Sequence, residues 1–171
     1  TFKKMEIVSS RLQNASHMVE RKNRLIESAN RELKELYNEL DTSQKEITYR
    51  LSQIAETRSR ETGNHVKRVA AYVIFLAREY GLSPEESELL GNAAPMHDVG
   101  KMAIPDEILN KQGTLTPGEF ETMKAHTTIG YAILRNSGRK ILNAASIIAL
   151  EHHERYNGTG YPSRLKGKHI P

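Results

Sequence analysis

The chain carries seven histidines and no cysteine. Without thiolates, a disulfide scaffold, a cysteine nucleophile and cysteine-based zinc or iron–sulfur sites are excluded, so any metal must rest on imidazole and carboxylate. Five of the histidines sit where they could do this. Glu61 and His65 are four apart and share one face of a helix. His97 and Asp98 are adjacent, and His97 continues the apolar face of Leu90, Ala93 and Ala94. His126 shares a face with Met123, Gly130 and Ile133, and His152 follows Ile141, Ala145 and Ile148, with His153 beside it.

Taken singly, an inward histidine is more simply a hydrogen-bonded core residue, and an early-helix glutamate such as Glu61 is explained by the helix dipole. Taken together, five His, one Asp and one Glu from four helices converge on one interior. Uncompensated burial of such groups is costly, and divalent metals compensate several at once, as in other helix bundles. Seven ligands exceed the needs of one ion, so two or three metals are expected. Mixed imidazole and carboxylate suits iron or manganese, with zinc and nickel as alternatives. Neighbouring metals clamp the attacking and leaving oxygens of a phosphoryl displacement. Lys101, three residues after Asp98, either holds a phosphate oxygen as a point charge or is a solvated loop lysine. His17 and His169 lie outside this set.

Helices must position these residues. The spacing of Val66, Val69, Ala70, Val73, Leu76, Ala77 and Tyr80 predicts a helix from about Glu61, stopped at Gly81. Ser83-Pro84-Glu85-Glu86 is a capping box with proline at the first helical position, and Thr116-Pro117-Gly118-Glu119 repeats the design. The first opens a helix towards His97, the second a helix through His126 to about Ser137. A last helix is expected from about Arg139 to His153, one short turn over Pro105 to Leu109, and a loop from Glu154 onward. Pro95 removes a helix hydrogen-bond donor and should kink the backbone beside His97. No alternating strand pattern occurs, so the class is all-α.

An arm precedes these helices. Residues 1–57 contain neither Pro nor Gly, and every seventh residue from Met5 is apolar: Met5, Leu12, Val19, Ile26, Leu33, Leu40, Ile47 and Ile54. The second seam, Val8, Ala15, Lys22, Ala29, Leu36, Ser43, Arg50 and Thr57, is mixed. This predicts a modest parallel two-stranded coiled coil and a homodimer, over the alternative of a surface helix folded onto its own domain. Two parts follow: a coiled-coil signalling helix at 1–57 and a helical domain at 58–171.

The net charge of +4 suits an anionic ligand without arguing for a nucleic acid polymer. No run reaches the roughly 18 apolar residues of a membrane span, and no signal peptide is visible. A cytoplasmic piece of a larger protein is expected.

The motifs resemble a known family. His97-Asp98-Val99-Gly100-Lys101 is similar to the signature of the HD-domain phosphohydrolases, and His152-His153-Glu154-Arg155-Tyr156-Asn157-Gly158-Thr159-Gly160-Tyr161-Pro162 resembles their HD-GYP subgroup. Ile104-Pro105-Asp106, the 109–115 loop and Lys124-Ala125-His126 through Gly130 fit the same resemblance, which runs from about Glu61 to the end. It implies an all-α domain with two or three metals and hydrolysis of cyclic di-GMP to pGpG or GMP. It also implies an upstream sensor or receiver domain, as in two-component signalling. It implies that His65, His97, Asp98, His126, His152 and His153 are metal ligands, with Glu61 the extra carboxylate of three-metal members. By the same resemblance Lys101 lies near the scissile phosphate and Gly160-Tyr161-Pro162 beside the substrate. Asp98 is then expected to act in catalysis with Lys101, and Tyr161 either stacks on a base or braces the loop. The family's last ligand, an Asp on a further helix, has no counterpart here, since no Asp follows Asp106. The domain is therefore expected to be C-terminally incomplete. The rival readings are an HD-GYP adaptor without turnover and a mononucleotide phosphohydrolase of the wider HD superfamily.

Overall fold

The computed structural model describes residues 2–59 and 63–171. The fold is all-α; the described residues form six α-helices and three short 3-10 turns, and the one β-type pairing among them is a bridge between Asn157 and Lys166. The helices are α1 (Phe2–Arg58), α2 (Gly63–Glu79), α3 (Pro84–Ala93), α4 (Asp106–Leu109), α5 (Pro117–Leu134) and α6 (Lys140–Glu151). The chain divides into two units, Thr1–Gln44 and Lys45–Pro171.

In the first unit the described residues are helical. The apolar seam is exposed along the whole of α1, its eight members between 50% and 67%.

In the second unit the expected punctuation is present. Gly81, at φ +94°, closes α2 with bonds from Gly81 N–H to the Arg78 carbonyl and from Leu82 N–H to the Ala77 carbonyl, a Schellman pairing. Both capping boxes form, Ser83 with Glu86 and Thr116 with Glu119. Lys111 adds an ion pair 2.7 Å from Glu119 Oε1. That pair and the Thr116 amide hold the Glu119 carboxyl at about 2.

The core is built from small residues so that backbones approach closely. Ala93, Met96, Val99, Leu134, Ala145 and Ala149 form its buried centre, with Ile141, Leu142 and Ile148 against it. A Cβ on Gly100 would lie 1.9 Å from the His126 carbonyl oxygen, and one on Gly130 would lie 3.1 Å from Ala149 Cβ. The 3-10 turn Val99–Ala103 therefore packs backbone to backbone on α5, which carries Asp98 up to His126. The end of α1 joins this unit: Thr48, Ser52, Ala55 and Glu56 are buried. Arg58 reaches the carbonyls of Met102 and Ile104 and pairs with Asp106 Oδ1 at 2.7 Å.

Candidate metal centre

Three short irregularities aim the site. Pro95 lacks an N–H and sits in the 3-10 turn Ala94–Met96, where a kink is expected and the α-helix gives way. His97 caps that turn and Asp98 opens the next. α6 ends at Glu151, earlier than expected, so His152 is its C-cap and His153 lies in the following turn. Both rings lie against His126 of α5, with centroids 5.3 and 5.1 Å from it.

Asp98 is the hub, 6% exposed. Its Oδ1 lies 3.4 Å from His126 Nε2 and 3.6 Å from His152 Nε2. Its Oδ2 lies 3.0 Å from His97 Nε2 and 2.7 Å from Lys101 Nζ. Behind the rings, backbone carbonyls set the tautomers. Nδ1 of His97 faces Ala94 O at 2.9 Å, that of His126 faces Met123 O at 2.7 Å, and that of His152 faces Ile148 O and Ala149 O at 3.1 Å. A carbonyl only accepts, so each Nδ1 is the donor and each neutral ring turns an Nε2 lone pair inward.

Those lone pairs meet without a proton between them. His126 Nε2 and His152 Nε2 are 3.3 Å apart, and the adjoining Asp98 Oδ1 is buried without a hydrogen bond from the protein. Such an arrangement is repulsive alone and complementary to a cation. One ligand atom each from Asp98, His126, His152 and His153 lies within 4.8 Å of the others, and Glu56, His65 and His97 form a second such group. The donor set fits divalent metal ions. Glu61 lies outside the described residues.

The electrostatics agree. Burial pushes the Asp98 carboxyl up, but the His152 and His97 rings and the Lys101 ammonium together hold it far below the usual range. Burial lowers His97, and Asp98 more than offsets it, for a net rise. Burial pushes His126 down, and burial with the neighbouring rings takes His153 to about 4. The lowered His126 and His153 beside an ionised carboxylate are what a metal requires, while the proton that Asp98 favours on His97 is one a metal would displace.

Beside the cluster, the 154–165 loop folds over His153. Gly158 takes φ +78°. Gly160 is needed for space, since a Cβ there would lie 2.5 Å from Arg155 N and Glu154 Cα. Glu154 accepts the Ser163 and Leu165 amides at 2.7 and 2.9 Å. Tyr161 thus lies flat on His153, ring centroids 4.6 Å apart, with Phe120 edge-on at 6.1 Å. Burial, then the Asp98 charge, pushes its phenol up to about 12. A cleft of about 790 Å³ opens here, lined by Phe120, Lys124, His153, Arg155, Tyr161 and Arg164 among others. Lys124 Nζ lies 5.4 and 5.7 Å from the Phe120 and Tyr161 ring centres.

The structure thus brings His65, His97, Asp98, Lys101, His126, His152, His153, Gly160 and Tyr161 to one end of the bundle. Spacing did not point to Glu56, Phe120, Arg155 or Arg164. The one trace of Glu56 is a run of small residues, Thr48, Ser52 and Ala55, on its own helical face.

Comparison with known proteins matches residues 50–171 to a family described as HD domain. A 3'3'-cGAMP-specific phosphodiesterase 2 of Vibrio cholerae is 48% identical over 78% of this chain and 26% of its own length. A cyclic di-GMP phosphodiesterase of Thermotoga maritima is 45% identical over 80% of this chain and 37% of its own. The cyclic di-GMP phosphodiesterase response regulator RpfG of Xanthomonas campestris is 42% identical over 78% of this chain and 35% of its own. The chain spans roughly a quarter to just over a third of the length of these relatives.

Proposed function

The chain belongs to the HD-domain family, and from that premise we propose that it is the catalytic part of a metal-dependent phosphodiesterase that opens cyclic dinucleotides. Cyclic di-GMP is the leading substrate, with pGpG or GMP as product. The observation that carries this reading is the inward convergence of three Nε2 lone pairs on ionised Asp98, beside a cleft with cationic and aromatic walls. Relatives named for cyclic di-GMP and for 3'3'-cGAMP share the cyclic dinucleotide class.

Divalent metals, iron or manganese by donor type, would be held by His65, His97, Asp98, His126, His152 and His153 and would supply Lewis-acid polarisation of the phosphodiester. The protein's own groups do the rest. Asp98 stays ionised. Lys101 Nζ, 2.7 Å from Asp98 Oδ2, is placed to hold a phosphate oxygen as a point charge. Tyr161 and Phe120 offer faces to a purine, and Lys124, Arg155 and Arg164 offset the second phosphate.

We further read Lys45–Pro171 as the HD unit, which takes the last turns of α1 from the arm, and the Thr1–Gln44 helix as a parallel homodimeric coil joined to an upstream sensor or receiver domain in the cytoplasm. A strict heptad needs a like partner to cover its seam, and a second copy supplies one in register.

The test is turnover by the iron- or manganese-loaded protein of cyclic di-GMP, 3'3'-cGAMP and mononucleotides, with products separated by chromatography. Hydrolysis of a cyclic dinucleotide that disappears in Asp98→Ala is the expected result. A metal-replete protein that opens no cyclic dinucleotide overturns the reading and favours an adaptor; one that cleaves only mononucleotides favours the wider HD chemistry.

A further inference from the structure

The turn that carries Lys101 is pinned at both ends. Near its start Gly100 packs on α5, where a Cβ would lie 1.9 Å from the His126 carbonyl oxygen. At its finish the Ile104 amide closes on the Lys101 carbonyl at 3.1 Å, and Pro105, with no N–H, stops the series. The last carbonyls of such a turn point past it and call for a donor from elsewhere. Arg58, the last residue of α1, supplies it. Its guanidinium donates to the Met102 and Ile104 carbonyls, the second at 3.2 Å, and to Asp106 Oδ1 at 2.7 Å. The Asp106 side chain is 71% exposed, so that ion pair adds little stability, and the contacts on the backbone are what set the geometry. Ile104 is 2% exposed, so the same segment is also held from beneath.

We propose that Arg58 is a positioning residue for the reaction: its grip on residues 102–106 fixes the end of the Val99–Ala103 turn and thereby the place of the Lys101 ammonium. The inference rests on the phosphodiesterase reading above. Lys101 Nζ reaches Asp98 Oδ2 at 2.7 Å on a four-carbon stem, so its reach to a phosphate depends on where the turn places its backbone. A misplacement of about 1 Å is enough to cost about 100-fold in rate. A planar fork bonds two carbonyls and a carboxylate at once, which a lysine ammonium in the same position does not match. The His97, His126 and His152 rings lean on other support, the carbonyls of Ala94, Met123, Ile148 and Ala149. Arg58 can therefore be replaced without dismantling the metal centre.

The experiment compares the Mn²⁺-loaded full chain in wild type, Arg58→Gln and Arg58→Lys. Three quantities are read on the same samples: kcat for cyclic di-GMP, Mn²⁺ per chain by elemental analysis, and acetic anhydride labelling of Lys101 relative to the exposed Lys140 by mass spectrometry. Arg58→Gln should lower kcat about tenfold or more, leave the metal content unchanged and raise the relative labelling of Lys101. Arg58→Lys should fall nearly as far, since it keeps the charge and loses the fork. Wild-type kcat or unchanged Lys101 labelling in Arg58→Gln overturns the inference and leaves the phosphodiesterase reading standing. Metal lost from Arg58→Gln assigns the residue to the metal centre and overturns the inference too. No turnover in wild type overturns both. Should Arg58→Gln fail to fold, the same measurements on Arg58→Lys decide.

Discussion

Both oxygens of Asp98 are engaged. One faces the His126 and His152 rings, and the other faces His97 and Lys101. Asp98→Ala should therefore remove the metal ions from both groups, and His97→Ala those nearest Oδ2, with hydrolysis lost in each; metal content and turnover measured on the same samples check this. Retained activity in either variant counts against the assigned site. His97, His126 and His152 were legible in the sequence because each continues an apolar helical face, His65 because it stands four residues from Glu61, and Asp98 and His153 because they adjoin those histidines. Glu56 was not, because a lone glutamate in a charge-rich arm has no periodic signature. Tyr161 was legible as a loop residue, but its flat contact with His153 depends on Gly160 making room, which spacing does not encode.

Backbone contact sets the behaviour of the elements. The turn Val99–Ala103 meets α5 at Gly100, where any Cβ would enter the His126 carbonyl. Gly100→Ala should cost about 2–3 kcal/mol by overpacking and displace Asp98 from His126, read as a lower urea midpoint together with weaker metal binding. Capping gives a milder effect: Ser83→Ala should cost about 1 kcal/mol, seen by the same unfolding measurement with metal binding unchanged. The α5 cap also titrates. Glu119 falls from its usual 4.5 to about 2 in the folded chain. A lowered folded value means its stabilisation is complete above 4.5 and fades as pH falls towards 2. The thermal midpoints of wild type and Glu119→Gln should differ at neutral pH and converge across that window; a constant gap would contradict the cap's ionic contribution. Both capping boxes and the Gly81 stop could be read directly because they are local. The end of α6 at Glu151 could not, since no glycine or proline marks it.

At the scale of the whole molecule, α1 is the element with the most uncovered apolar surface. Leu33→Asn with Leu40→Asn should convert a dimer to a monomer by sedimentation, while the metal content per chain stays the same; an unchanged mass would show that the seam is not the interface. The arm's heptad was plain in the sequence, whereas the entry of its last turns into the Lys45–Pro171 unit was not, because Thr48 and Ser52 are polar and the seam continues past them through Ile54. Over those turns, Ile47 and Ile54 look one way and Thr48, Ser52, Ala55 and Glu56 look nearly the other. With the seam covered by a second copy as proposed, the helix would present two faces, and what separates those faces is angle rather than length. Losing or gaining seven residues within the arm changes that phase by only about 20°, whereas a single residue changes it by about 100°. Length variants of this arm should accordingly sort by their remainder on division by seven.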